Sequence, residues 1–408
     1  MIIALLAVCA SALQDEGLRP APLQSRVTHV QPMTGLVFWA DSEQVSSDAI
    51  QLEFSYLKYG DVVSKAGVYD WAPVERVLGA VAGRKHQAVL RFYDTYVGQK
   101  TTVPDYIKKL PDYKETSALS EKKQTGFPDW SHAELQRFIL EFYSKFAEKY
   151  DRDARLAFLE TGFGLWSEYH IYDGPMKLGK TFPDKEFQEK FLKQLAGVFK
   201  QTPWMISVDA AAEETTPFAS RRELLDLAFG NFDDSFLCKQ HAKENEPNWK
   251  FFGRDRYLRA PAGGEFSYYN DSDQKNALAA NGPNGVSFEA AARDFHITFM
   301  IANDQPKYQK MERIREAGLA CGYRFKIVEF KTGADRSRVT VSNVGIAPIY
   351  HDAFVAVNGL RAKASLKGLR PGESRTFDVS GGGDKVTIES DRLLPGQRIE
   401  FDADLKPH

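Results

Sequence analysis

Eight short apolar runs, separated by stretches whose apolar residues recur at helical spacing, occupy the chain from about Thr34 to Gly322. The runs are GLVFWA (35–40), IQLEFSYL (50–57), QAVLRFYD (87–94), ARLAFLETG (154–162), WMISVDA (204–210), SFLCKQHA (235–242), GGEFSYY (263–269) and HITFMIAN (296–303). Strand followed by helix, repeated, demands parallel pairing, because each helix returns the chain to the same edge of the sheet. The clearest helical stretch is 131–150. There Ser131 and Glu134 have the spacing of a capping box, and Leu135, Phe138, Ile139, Phe142 and Phe146 share one face. Stretches 184–200, 220–230, 287–295 and 307–320 carry the same pattern. Eight such units point to a (β/α)8 TIM barrel with long loops. The competing open, doubly wound sheet lacks a GxGxxG turn after its first strand.

After Gly322 the grammar changes to alternating strands punctuated by Gly, Pro and Asp: YRFKIVEF, SRVTVSNVG, FVAVNG, SRTFDVS, DKVTIES and QRIEFDA. That pattern predicts a small antiparallel β-sandwich over 323–408, following a barrel over 30–322. The 408 residues are enough for both cores. The opening MIIALLAVCASA, residues 1–12, fits a signal peptide ending at Ala10-Ser11-Ala12, so a secreted or periplasmic location, with cell-surface association as a variant of it, is expected. No later segment reaches the ~20 apolar residues of a membrane span. With the leader removed, Cys238 and Cys321 remain, and their placement favours two buried free thiols over a disulfide.

A net charge of -2 gives no basis for a nucleic-acid surface. Barrel chemistry sits at the carboxyl ends of the strands, which gathers Trp39, Arg91, Tyr93, Asp94, Trp166, Glu168, His170, Asp209, His241, Glu265 and Tyr268 as candidates. Two carboxyl groups stand out. Glu168 follows strand four within GFGLWSEYH, and Glu265 lies in strand seven, on the opposite side of a barrel mouth. Cleaving a glycosidic bond needs such a pair, one protonated and one ionised. Trp166 and Phe163 would give Glu168 a low-dielectric wall, Gly263 and Gly264 would let Glu265 reach inward, and Arg91 would hold Glu265 ionised or meet substrate. Trp39, Tyr93 and Tyr268 offer faces for sugar rings, and Asp94, Asp209, His170 and His241 offer polar contacts. Each also has a bland reading, as core packing, a strand-end ion pair or a hydrogen-bonded mouth residue. His170 and His241 are read as such mouth residues and not as metal ligands. No metal or cofactor is expected. NDSDQKN (270–276) lacks the glycine and terminal glutamate of a calcium loop.

The motifs GVYDWAPVERVL (67–78), QAVLRFYD, FGLWSEYH, GGEF and SNVGIAPIYHD (342–352) resemble bacterial proteins of the domain of unknown function 4832 family. That family is similar to the retaining glycoside hydrolases of clan A and carries a small C-terminal β-domain. The resemblance spans nearly the whole chain after the leader. It implies Glu168 as acid/base and Glu265 as nucleophile. One departure is Ser167, where clan A barrels commonly have Asn before the acid/base. The expectation is a secreted glycosidase acting on a polysaccharide or oligosaccharide. Its rivals are a barrel that binds glycans at the cell surface without cutting them, and a purely structural envelope protein.

Overall fold

The computed structural model describes residues 17–406, so the signal-peptide stretch lies outside the described residues. Eight parallel strands close into a barrel: β1 (Gly35–Trp39), β2 (Leu52–Lys58), β3 (Gln87–Tyr93), β4 (Leu156–Glu160), β5 (Trp204–Ser207), β6 (Gly230–Phe236), β7 (Ala262–Phe266) and β8 (Phe299–Ile301). Closure is made by β8 on β1, where Phe299 pairs with Gly35 and Ile301 with Val37. All seven residues of β3 are buried, since its inner face fills the barrel while its outer face meets helices. Val37, Leu52, Phe54, Val89, Phe158, Met205, Phe232 and Phe299 form the barrel's inner core. Outside it, the helix Ala133–Tyr150 buries the face anticipated from spacing, with Tyr143 and Tyr150 added.

The sixth strand departs from the sequence reading. It runs Gly230–Phe236 rather than 235–242, and Leu237, at φ +67°, ends it. Cys238 to His241 lie in the turn that leads into the helix Ala242–Phe252. The acidic pair in NFDDS reads as a loop, yet both residues are accommodated. The Asp233 carboxylate accepts from Ser235 N, Asn245 Nδ2 and Trp249 Nε1 at 3.0, 2.8 and 3.1 Å on the outer face, and Asp234 pairs with Arg91. The helix expected over 220–230 is correspondingly short, a 3-10 turn at Arg222–Asp226. The capping box also fails to form. His132 caps the helix through Glu134 N, and the Ser131 hydroxyl bonds Asp129.

The long insertion after β3 forms a hairpin, Thr116–Ser120 with Lys123–Phe127, tied to the neighbouring loops by Gly98 N on Thr125 Oγ1 and Glu121 N on Asp173. Beyond residue 322 two sheets face each other around one core. The larger orders Ser374–Val379, Ser337–Asn343, Phe325–Thr332 and Phe401–Leu405, and residues Leu23–Ser25 and Arg19–Pro20 from the other end of the chain join it. This unit covers the amino-terminal ends of the barrel strands. Arg392 donates to the carbonyls of Asp151 and Leu156 and to Thr202 Oγ1, and Gln87 Nε2 donates to Arg392 O at 2.7 Å. Both Cys238 and Cys321 are buried free thiols. Among the described residues no helix is long and apolar enough to cross a membrane.

Candidate active site

Residues 162–170 build one wall of the mouth by folding back on themselves. Leu165 N bonds His170 O, Tyr169 N bonds Phe163 O, and Trp166 N reaches across to Thr95 O, each within 3.0 Å. The glycines make this closure feasible. A Cβ on Gly162 would stand 1.9 Å from Ser167 O, and one on Gly164, at φ +77°, would stand 2.3 Å from His170 O. Trp166, Ser167 and Tyr169 all take left-handed backbone angles, φ +53°, +62° and +63°. Such angles are uncommon for residues bearing a Cβ and mark a loop held by its surroundings. The Ser167 hydroxyl donates to Phe92 O at 2.9 Å, which ties this wall to β3. Ser167 therefore supports the loop.

Arg91 is the centre of the mouth. Its side chain is fully buried, with Nε 2.9 Å from Glu160 Oε2, Nη2 2.7 Å from Asp234 Oδ2 and Nη1 3.4 Å from Glu168 Oε1. The Tyr56 hydroxyl and Trp166 carbonyl complete its contacts, and its guanidinium carbon lies 4.3 Å from the Phe232 ring centroid. No face of it is open to a substrate, so the expected role in substrate contact does not fit, and the ion-pair reading of this residue does. Glu265 is not among its ion-pair partners. Glu160 and Asp234, which the sequence reading passed over, are the carboxylates that Arg91 grips most closely. Asp234 was missed because the sixth strand was placed five residues late. Glu160 was absorbed into an apolar run, and its signal was an acidic residue as the last member of a buried strand.

Glu168 and Glu265 share electrostatic neighbours. The Tyr56 hydroxyl lies within electrostatic range of Arg91, Glu168, Asp234 and Glu265 together, and Tyr96 within range of Glu265 and Glu168. Burial pushes the Glu168 carboxyl well above its ordinary pKa, with the Asp234 charge and an Asp234 hydrogen bond adding to it and Arg91 opposing. Glu265 is also pushed up, by burial and then Asp234, while Arg91 and the nearby Trp39 indole favour its anion. Trp39 Nε1 and Glu265 Oε1 nonetheless both remain without a hydrogen-bond partner. Gly264, at φ +148°, brings β7 against β6: a Cβ there would meet Asp233 O at 2.0 Å. Gly263 makes room for the Phe299 ring, which a Cβ would approach to 2.6 Å. The two glycines thus serve strand packing, and the placement of Glu265 follows from it.

The other candidates divide. Tyr93 packs edge-on against Tyr56 and Tyr96 just inside the mouth. Asp94 points the opposite way, into the layer between barrel and helices, where its charge reaches Tyr59 and Tyr143, and burial pushes it up to about 7. It therefore does not line the mouth, because successive strand residues face opposite sides. Trp166 lies over Tyr172 with ring centroids 6.1 Å apart and planes 22° apart. Tyr268 and Tyr269 are exposed across the opening, Tyr268 within range of Glu265, and the His241 ring sits 4.6 Å from that of Tyr269. His170 bridges two acids, Nδ1 2.9 Å from Asp209 Oδ2 and Nε2 3.6 Å from Glu168 Oε2. Glu168, His170 and Asp209 each offer one ligand atom within 4.8 Å of the others, so this trio has the spacing to hold a metal ion.

No family model matches the chain, and no curated protein matches it. The expected kinship with the domain of unknown function 4832 family is thus not shown. Among solved structures, the chain is similar to the endo-glycoceramidase II of Rhodococcus sp., in its lactosyl-enzyme intermediate, at 10% identity and TM-score 0.43, over 89% of this chain and 100% of that one. It is similar to a glycoside hydrolase family 30 subfamily 8 xylanase from Clostridium acetobutylicum at 11% and 0.39, covering 88% and 98%. It is also similar to the catalytic domain of a β-amylase from Paenibacillus polymyxa at 10% and 0.42, covering 72% and 99%. The barrel is established by its own strand pairing, and likeness at this level adds nothing to it.

Proposed function

We propose that this chain is a secreted glycoside hydrolase that cleaves a polysaccharide or oligosaccharide with retention of configuration. Glu168 is the proton donor and Glu265 the nucleophile. The observation that supports the proposal is that Glu168 reaches Arg91 at the centre of the mouth at 3.4 Å, while Glu265, on the opposite strand β7, keeps a buried carboxylate oxygen without a hydrogen-bond partner. Glu168 shares its surroundings with Asp234, whose own charge is matched by Arg91 at 2.7 Å. A proton in that pair rests on Glu168, which is 14% exposed and so can reach a glycosidic oxygen. Glu265 attacks the anomeric carbon; burial and Asp234 raise its pKa, and Arg91 and the Trp39 indole oppose that rise in favour of the anion that attacks. The leaving sugar departs with the Glu168 proton, and Glu168 then takes a proton from the water that frees the glycosyl-enzyme. Trp166 with Tyr172 on one rim, and Tyr268 with Tyr269 on the other, supply flat apolar faces for the sugar rings.

The test is a panel of polysaccharides and oligosaccharides with reducing-end detection, followed by Glu168→Gln and Glu265→Gln on the substrate found. Both variants should lose turnover by at least a hundredfold while their melting curves stay close to the parent's. Parental rates in either variant would refute the assignment of that residue. The anomer first released, read by proton NMR, should be the retained one. A second reading, a glycan binder without hydrolytic activity, is favoured by the occupation of Arg91 with three carboxylates. Glycan affinity with no new reducing ends would select it.

A further inference from the structure

The mouth gathers more carboxyl groups than its one guanidinium can balance. Glu160, Glu168 and Asp234 all contact the single guanidinium of Arg91. Burial first, and then the charges of Asp234 and Glu160, raise Glu265, and Asp209 adds its charge beside Glu168. Clusters of this kind shed the excess by binding protons or by binding a cation. The geometry around His170 decides which cation suits it.

An imidazole whose Nδ1 hydrogen bonds to a carboxylate presents a lone pair at Nε2, the form that ligates metals, and the partner carboxylate fixes the ring's direction. His170 has this arrangement: Asp209 Oδ2 is 2.9 Å from Nδ1. Its Nε2 is buried and without a hydrogen-bond partner, and points toward Glu168 Oε2 at 3.6 Å. Two ligand atoms each about 2.1 Å from a tetrahedral ion stand about 3.4 Å apart, so this pair needs only a slight closure. Asp209 closes the group: Glu168, His170 and Asp209 each bring a ligand atom within 4.8 Å of the others.

We propose that the barrel mouth binds one divalent first-row transition ion through His170 Nε2 and Glu168 Oε2, with Asp209 holding the imidazole through Nδ1 and adding its charge to the site. One imidazole among carboxylates suits Zn2+ or Mn2+ better than Mg2+ or Ca2+, which prefer all-oxygen sets. The site stands whether or not the chain cleaves glycosides. Where it does, the ion occupies the oxygen that would carry the donor proton, and binding it stops turnover.

The test uses the full chain stripped with a chelator and dialysed, with the metal alone as probe and no sugar present. Zn2+ is titrated by calorimetry and Mn2+ by electron paramagnetic resonance. The expected result is one ion per chain, with His170→Ala and Asp209→Asn each weakening binding at least tenfold. His29→Ala, which removes a His–Glu pair at the far end of the barrel, should leave affinity unchanged. Asp209 lies on a half-exposed turn, so Asp209→Asn carries the test if His170→Ala does not fold; melting curves report this. No uptake at millimolar metal would overturn the proposal. Uptake unaltered in both mouth variants, or lost in His29→Ala, would also overturn it. Because the readout is binding, its failure leaves the hydrolase reading untouched, and failure of hydrolysis leaves this one untouched.

Discussion

Replacing Arg91 by methionine removes the charge at the centre of the mouth and keeps much of the side-chain volume. In the parent, the guanidinium contacts Glu160, Asp234 and Glu168, and both Arg91 and Glu160 are fully buried. Breaking a buried pair by deleting one partner costs about 3–5 kcal/mol, because the other charge is left uncompensated. With ~2.1 cal/mol/K of unfolding entropy per residue, a protein of this length loses about 1.2 °C per kcal/mol, so the melting temperature should fall by about 4–6 °C at pH 8. The deficit should depend on pH in a definite direction. Glu160 already has a raised pKa, from burial first, and Arg91 opposes the rise. Without Arg91 the folded-state pKa climbs further above the unfolded value of about 4.3. A group raised in this way binds more protons folded than unfolded, so stability is kept at acid pH and lost as pH rises through the folded pKa. The gap between variant and parent should therefore stay level below about pH 7, where Glu160 is protonated in both folded proteins, and widen from there toward pH 9, at up to ~1.4 kcal/mol per pH unit for each carboxyl affected. Melting curves by circular dichroism at half-unit pH steps measure this. A deficit that stays constant across that range, or none at pH 8, would refute the electrostatic account of the mouth.

Gly162→Ala should destabilise by about 1–3 kcal/mol or more, since its Cβ would meet the Ser167 carbonyl, a backbone atom that cannot step aside; denaturant unfolding measures it. Activity, once a substrate is known, should fall further than stability, because the same loop holds Glu168. Arg392→Ala leaves the carbonyls of Asp151 and Leu156 without this donor at the floor of the barrel, and should cost about 2–4 kcal/mol. Limited proteolysis should then cut first near residue 322, and equal resistance in variant and parent would argue against this contact as the clasp. Phe142→Ala, deep beneath β3 among Tyr59, Phe92 and Phe138, should cost about 3–5 kcal/mol by chemical denaturation.

The barrel was legible because parallel strands buried on both faces read as unbroken apolar runs, and helices with one buried face read at their own period. Glu168 and Glu265 stand out in the sequence for a related reason, as acids set among aromatics after or within those runs. Asp234 does not. It lies in a strand whose first half, GNFDD, is polar enough to pass for a loop, and only the third dimension reveals that Arg91 waits on one side and Ser235, Asn245 and Trp249 on the other. Asp94 failed in the opposite sense. Its position at a strand end was right, but alternation turned it toward Tyr59 and Tyr143, and sequence alone does not fix which parity faces inward. The joining of Arg19–Pro20 to the strand Phe325–Thr332 is a contact between distant chain ends that no local pattern encodes.

The loop 162–170 links these observations to function. Three residues with side chains hold left-handed backbone angles there, each costing of order 1–3 kcal/mol relative to a relaxed turn. Such a loop persists only if its surroundings over-determine it. They do so through the Trp166 bond to Thr95, the Ser167 hydroxyl on Phe92, and the Tyr169 ring beneath Phe163. All three ties end on β3 and its continuation or in the buried layer behind the loop, and β3 also delivers Arg91. The carboxyl of Glu168 and the guanidinium that meets it are thus placed by one piece of structure, so their spacing survives motion elsewhere. A relaxed loop would carry the same residues with the spacing left to chance. The strain in GFGLWSEYH therefore fixes the Glu168 carboxyl beside Arg91, which is the spacing the proposed role of Glu168 requires.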